Sequence, residues 1–286
     1  MDRTFVIAES GATWEADLEK AYRSIHAAAA CGADAWKVQW VSDPEKMAAR
    51  RNDPSLAAAY RRYLAWPREW HEKLKARCDA AGIEYMCTTY LQEDIETIAP
   101  LVKRFKVSSF EACSWDFVVA HLPYCSGERS LIISNGLGKK PTHLHRDIVN
   151  LYCVSGYPCP INELNLACLW EWCQLEDRRV SSYNGLSDHT TSTLTGALAV
   201  AAGAVVIEKH VRLLSTPTDN PDYAHSLIMN GDGLKVFSDG NMLIEEGWPP
   251  FADYVSNIRE AERAMGDGER KVMPCEEGNL KYRVRA

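Results

Sequence analysis

The chain of 286 residues carries a net charge of −7 and is 46% hydrophobic, enough apolar content for one large core. An acidic balance excludes a nucleic-acid binder that works by general phosphate attraction, so any anion site must be built locally. The ten cysteines are scattered without a CxxC pair, which argues against a zinc ribbon and for reduced thiols in a cytoplasmic protein. MDRT leads straight into FVIAE with no basic and apolar leader, and no stretch approaches the roughly 20 apolar residues of a membrane span, so a soluble protein is expected.

Phe5 to Glu9 reads as a buried strand. Leu18, Tyr22, Ile25 and Ala29 at helical spacing place a helix over Trp14 to Cys31, stopped by Gly32. Ala35 to Trp40 is a second strand, and a polar insertion runs through about Arg62, ahead of a helix from Glu69 to Ala81 closed by Gly82. Glu84 to Thr88 and Phe105 to Ser109 are the third and fourth strands, with helices beginning near Glu93 and Ser114. Ser130 to Asn135 is the fifth strand and Asn150 to Ser155 the sixth, followed by a helix over Ile161 to Leu175. Strands seven and eight fall near Val180 to Tyr183 and Ala204 to Glu208, joined by a small Ala-rich helix, and a last helix lies around Asp253 to Met265. Eight strands alternating with helices, without a break in composition, predict an α/β fold of the (β/α)8 TIM barrel type over residues 1–265, with an open doubly wound sheet as the alternative. Residues 266–286 read as a polar surface tail.

Barrel interiors are filled by apolar side chains, so polar residues at the C-terminal ends of strands mark a catalytic mouth. This chain has them at nearly every strand: Glu9, Lys37, Gln39, Thr88, Lys106, Ser109 and Glu111 in the first half, and Ser134, Asn135, Ser155, Tyr157, Ser187, Asp188, His189, Glu208, Lys209 and His210 in the second. Lys37 and Lys106 alternate with apolar neighbours and therefore point inward. Two ammonium groups beside several hydroxyls suit a phosphate or carboxylate. His189 and His210 follow consecutive strands, and either cap them in loops or open onto one rim as a metal-binding pair. His143 and His145 in THLH read as solvated surface, and His26, His71 and His121 as surface or core-edge groups on helical segments. Trp66, Trp70, Trp170 and Trp172 read as packing residues. Gly136 and Gly138 are turn residues that also bring backbone N–H groups near an anion.

The segments FVIAESG, GADAWKVQ, KVSSFE, ISNG, LYCVSGYPCPINELNL, GLSDHT and GAVVIEKH, in this order, resemble the N-acetylneuraminate (sialic acid) synthases and their pseudaminic and legionaminic acid relatives. The SDH and EKH triplets joined by an Ala-rich helix carry the resemblance most specifically. It implies a (β/α)8 barrel that condenses phosphoenolpyruvate with a small open-chain sugar aldehyde, using a divalent metal, Mn2+ foremost and Mg2+ or Co2+ as alternatives. His189 and His210 match the family's metal ligands. Lys37, Thr88, Lys106, Ser109, Ser134 and Ser187 match positions around phosphoenolpyruvate, with Ser155 where an Asn is common. Gln39, Glu111, Tyr157 and Asp222, with Glu15, match positions near the acceptor, and Glu111 is the expected water-orienting or proton-moving group. The chain departs from the family at Thr13-Trp14, Asn135 and Phe110, all expected at the mouth. Its sequence ends at Ala286, so a barrel without the family's C-terminal antifreeze-like domain is expected, and a homodimer would need another interface. Alternative functions are a lyase or other carbon–carbon bond enzyme on the same barrel, or a catalytically silent binding or scaffold barrel.

Overall fold

The structure is a computed structural model describing residues 3–141, 147–175, 178–229 and 250–284, with the backbone alone over 172–175 and 178–180. His143 and His145 lie outside the described residues. β1 (Phe5–Gly11), β2 (Ala35–Trp40), β3 (Glu84–Thr89), β4 (Arg104–Val107), β5 (Ser130–Asn135) and β6 (Ile148–Cys153) pair in parallel in chain order. After an antiparallel hairpin of β7 (Trp172–Leu175) and β8 (Arg178–Ser181), the series resumes with β9 (Gly185–Asp188) and β10 (Val206–Leu213). β10 pairs with β1 from Phe5↔Val206 to Glu9↔His210 and closes an eight-stranded parallel barrel, as expected.

Closure buries both faces of every strand, so the two-residue alternation separates a barrel interior from a helix-facing layer. Ile7, Ala35, Met86, Ile132 and Leu151 pack together as the apolar floor of the interior. Two residues further along their strands come Glu9, Lys37, Thr88, Ser134 and Cys153. The register sets Lys106 beside Thr88, Ser187 beside Cys153, and Glu208 beside Ser187. A polar layer therefore lies directly on an apolar one. The outward set, including Val6, Ala8, Trp36, Val38, Leu131, Ile133, Leu186 and Ile207, joins the large core beneath the helices.

α1 (Leu18–Ala30) begins later than its periodicity predicts, because Glu15 and Ala16 adopt left-handed φ of 56° and 51°, and Asp17 caps the Glu19 and Lys20 N–H groups. Trp14 is instead buried among Trp36, Trp66 and Trp70. The insertion after β2 holds α2 (Pro44–Arg50), started by Asp43 with proline in the first turn, and α3 (Ala57–Tyr63). α4 (Trp70–Ala81) ends on Gly82 at φ 75°, followed by α5 (Gln92–Ile98) and α6 (Trp115–Val119).

Three expected elements are corrected. The helix over Ile161 to Leu175 is a pair of short 3-10 turns running into β7, because Asn165 turns left-handed and Glu171 is extended. Arg178–Ser181 is the return strand of the hairpin, and barrel strand seven is β9, so Ser187 and Asp188 stand inside a strand. β10 runs on to Leu213, placing Glu208, Lys209 and His210 within it, and its upper end pairs with β11 (Leu227–Met229). At Gly185 a Cβ would lie 1.7 Å from the Val206 carbonyl oxygen, so β9 and β10 meet at a spacing that only glycine permits.

α7 (Thr195–Ala201) and α8 (Phe251–Met265) complete the outer layer. His71 and His121 are fully buried rather than at the surface: His71 Nδ1 bonds the Tyr85 hydroxyl at 2.7 Å, and His121 Nδ1 donates to the Phe117 carbonyl at 2.8 Å. Residues 266–284 are exposed. No helix among the described residues is long and apolar enough to cross a membrane, and every cysteine whose side chain is described is a free thiol.

Candidate active site

The C-terminal end of the barrel holds a narrow cavity of about 40 Å3 lined by Lys37, Gln39, Thr88, Lys106, Ser109, Ser134, Tyr157, Ser187, His189 and His210. Tyr90, Ser108, Cys153 and Glu208 complete the wall. Neighbouring strands project these side chains to one point because the interior positions of a closed sheet converge on its axis.

Lys37 Nζ donates to Thr88 Oγ1 at 2.7 Å, meets Glu208 Oε1 at 3.1 Å, and contacts the Glu9 carboxylate. Lys106 Nζ donates to Ser134 Oγ at 2.8 Å and stands 3.3 Å from Glu208 Oε2. Glu208 thus bridges both lysines, and the cradle is less electropositive than the two lysines alone imply. Burial alone would raise the Glu208 carboxyl, but Lys106 and Lys37 hold it down to about 2. Glu9 behaves oppositely: burial pushes it up to about 7, with Glu208 adding to the rise and Lys37 only partly opposing it. Burial lowers the Lys106 ammonium. It would lower Lys37 too, but Glu208 and Glu9 together hold that group above its ordinary value.

Beside this cradle stand three imidazoles. His189 Nδ1 donates to the Val154 carbonyl at 2.7 Å, leaving Nε2 with the free lone pair. His210 and His225 have ring centroids 4.5 Å apart, and Tyr157 lies 4.2 Å from the His189 ring. Burial lowers all three, to about 4 for His189 and His225, so they stand neutral near pH 7. Asp222 accepts the Ala12 N–H at 2.7 Å, and its other oxygen is 3.7 Å from His225 Nε2. His210 Nδ1 and both His225 nitrogens are buried without a hydrogen-bond partner, which ordinarily costs about 1–3 kcal/mol per group. Orphaned imidazole nitrogens beside a carboxylate are the donor set that a divalent cation satisfies.

The sequence profile of the NeuB family matches residues 24–246. The chain belongs to the NeuB family. A pseudaminic acid synthase of Campylobacter jejuni is 29% identical, covering 99% of this chain and 80% of that protein. An N,N'-diacetyllegionaminic acid synthase of Legionella pneumophila is 30% identical, covering 93% of this chain and 74% of that protein. The crystal structure of an N-acetylneuraminic acid synthetase from Leptospira borgpetersenii superposes with a TM-score of 0.76 at 20% identity, covering 98% of this chain and 91% of that one, and shows the shared fold.

Several expected residues of this NeuB-family chain lie outside the cavity wall. Ser155 stands behind Ser109, to which its hydroxyl donates at 2.7 Å. Glu111 pairs with Arg51 at 2.6 Å and accepts from the Ser108 hydroxyl. Asp222 belongs to the imidazole cluster, and Glu15 turns to Lys20 on the first turn of α1. Of the departures from the family pattern, Asn135 and Trp14 are not at the mouth: Asn135 bonds Asn150 between β5 and β6, and Trp14 packs under α1 and α4. Thr13 bonds the carbonyl of Val211, within β10, at 2.8 Å. Phe110 lies under the Arg51 guanidinium, 4.5 Å away. Sequence reasoning missed His225 and Arg51. His225 sits three residues after Asp222, the only signal available, and Arg51 lies in an insertion with no periodic cue.

Proposed function

We propose that the chain condenses phosphoenolpyruvate with an open-chain aldose of the N-acetylhexosamine kind, giving a sialic-acid-type α-keto acid and inorganic phosphate. The observation supporting this reading is the juxtaposition, inside one NeuB-family barrel, of two buried lysines among hydroxyls with an imidazole cluster. Phosphoenolpyruvate carries a phosphate and a carboxylate. Lys37 and Lys106 supply two fixed cations for them where water is excluded. Thr88, Ser109, Ser134 and Ser187 orient the enol ester, with Ser155 steadying Ser109, so that its methylene carbon faces the acceptor. Gln39 and Tyr157 take the acceptor side.

One carbon–carbon bond forms between the enol and the aldehyde carbon, one water adds to the former enol carbon, and phosphate departs. Glu111, held by Arg51 and Ser108, orients that water or takes its proton. His189 and His210 would hold a divalent cation, which when bound supplies Lewis-acid polarisation of the aldehyde oxygen. Glu15, paired with Lys20, stays outside this reading. Residues 1–265 form the catalytic unit and 266–286 an appendage, acting in the cytoplasm.

Phosphate release from phosphoenolpyruvate, with Mn2+ and a panel of aldoses that includes N-acetylated hexosamines, tests the proposal. Turnover with at least one acceptor is expected. No turnover with any acceptor, together with no binding of phosphoenolpyruvate, would overturn it.

A further inference from the structure

We infer that His225 and Asp222 complete, with His210 and His189, a three-imidazole, one-carboxylate site for a borderline transition ion such as Co2+, Fe2+ or Zn2+ in preference to Mg2+. The inference takes His189 and His210 from the preceding reading and goes beyond it in the ligand count and the class of ion.

His210, Asp222 and His225 each offer a ligand atom, and these atoms lie within 4.8 Å of one another. His189 stands next to this group rather than within it, its ring 5.5 Å from that of His210 and 6.5 Å from that of His225. His225 comes from the loop between β10 and β11, and it is 2% exposed with no hydrogen-bond partner on either ring nitrogen. A histidine placed only for packing satisfies at least one nitrogen, as His71 and His121 do elsewhere in this chain.

The loop is also held in place. Asn220 Nδ2 donates to the Ala12 carbonyl at 2.9 Å, Ser226 donates to the Asp222 carbonyl at 2.6 Å, and Asp222 is pinned by the Ala12 N–H. Gly11 passes directly beneath, where a Cβ would lie 2.2 Å from Asp222 Oδ2. The backbone is thus shaped around this carboxylate. Three imidazoles and a single carboxylate suit borderline ions, whereas Mg2+ favours oxygen donors.

The test is titration of the chelator-stripped protein with Co2+, without substrate, following the visible d–d absorption. Wild type is expected to bind Co2+ with a nitrogen-rich spectrum that excess Mg2+ does not displace. His225→Ala should weaken Co2+ at least about tenfold and shift the bands, with free imidazole restoring them. His225→Gln, closer in size, should lose affinity equally while keeping the wild-type circular dichroism. Wild-type affinity and bands in both variants would overturn the inference. If His210→Ala still abolishes binding in that case, only the added ligand fails. If His189→Ala and His210→Ala also bind unchanged, the metal pair of the preceding reading fails with it.

Discussion

Lys37 Nζ stands 3.1 Å from Glu208 Oε1, with the two side chains 2% and 5% exposed, so a full ion pair is buried at the centre of the barrel. Removing one partner of such a pair leaves an uncompensated charge. Lys37→Met is therefore expected to destabilise the fold by about 3–5 kcal/mol. Chemical denaturation of Lys37→Met and of the double variant Lys37→Met/Glu208→Gln checks this. The double variant should recover part of the loss, and an unchanged midpoint in the single variant would contradict it.

Glu9 is pushed up to about 7, beside Lys37 and within the influence of Glu208. Below that pH it is neutral and the two lysines face one carboxylate; above it, two. Phosphoenolpyruvate binding should weaken as pH rises from about 6 to 8, and Glu9→Gln should flatten the part of the profile that is not the ligand's own ionisation. Stability follows the same direction. The folded pKa lies above the ordinary carboxyl value of 4.5, so the folded state holds more protons in that window, and the Glu9 contribution falls as pH climbs from 4.5 to about 7. Calorimetric titration at several pH values reads the binding effect.

Arg51 reaches from the insertion after β2 to Glu111 beyond β4, with its guanidinium over Phe110. Arg51→Ala should lower kcat roughly ten- to a hundredfold, the equivalent of one hydrogen bond to a charged group, and leave both KM values nearly unchanged. Steady-state kinetics with each substrate varied in turn separates kcat from KM. An equal rise in both KM values would mean the pair supports the whole rim.

Asp188 points away from the cavity into a network of Lys209 at 3.1 Å, the Thr190 N–H at 2.8 Å, the Thr195 hydroxyl at 2.5 Å and the Tyr254 hydroxyl at 2.8 Å. Burial would raise this carboxyl, but Lys209 and these hydrogen bonds hold it below its ordinary value. Tyr254→Phe removes one donor to a charged acceptor and should cost about 1.5–3 kcal/mol of stability, without changing metal affinity. Equilibrium unfolding and a metal titration on the same variant check both halves.

The barrel was legible because its information is local: AWKVQW alternates, SLIISN is a short apolar run buried on both faces, and Asp17 and Gly82 punctuate helices by known backbone chemistry. Lys37 and Lys106 could be aimed inward from their apolar neighbours alone. Glu9 and Glu208 were visible at strand ends, but their pairing to the lysines depends on register between strands remote in the chain. Trp172–Leu175 was misread as the end of a helix because a short apolar run fits helix and strand alike, and Val180 to Tyr183 was read as a barrel strand because its true partner, the arm just before it, is set by pairing rather than by pattern. His225 lay beyond reach because its role depends on how an irregular loop folds over Ala12, and no spacing rule encodes that.

Gly185 separates two kinds of change open to this protein. A methyl group there would collide with the main chain of β10, which no neighbouring side chain can accommodate by rotating, so glycine at this position keeps Ser187 directly opposite Glu208. Asp222 and His225 hang from a connection outside that ladder. Under the proposed function, ion preference can therefore drift by exchange of loop residues while Lys37 and Lys106 keep their positions. A laboratory search for altered metal use is best aimed at residues 214–226 and kept away from the strands.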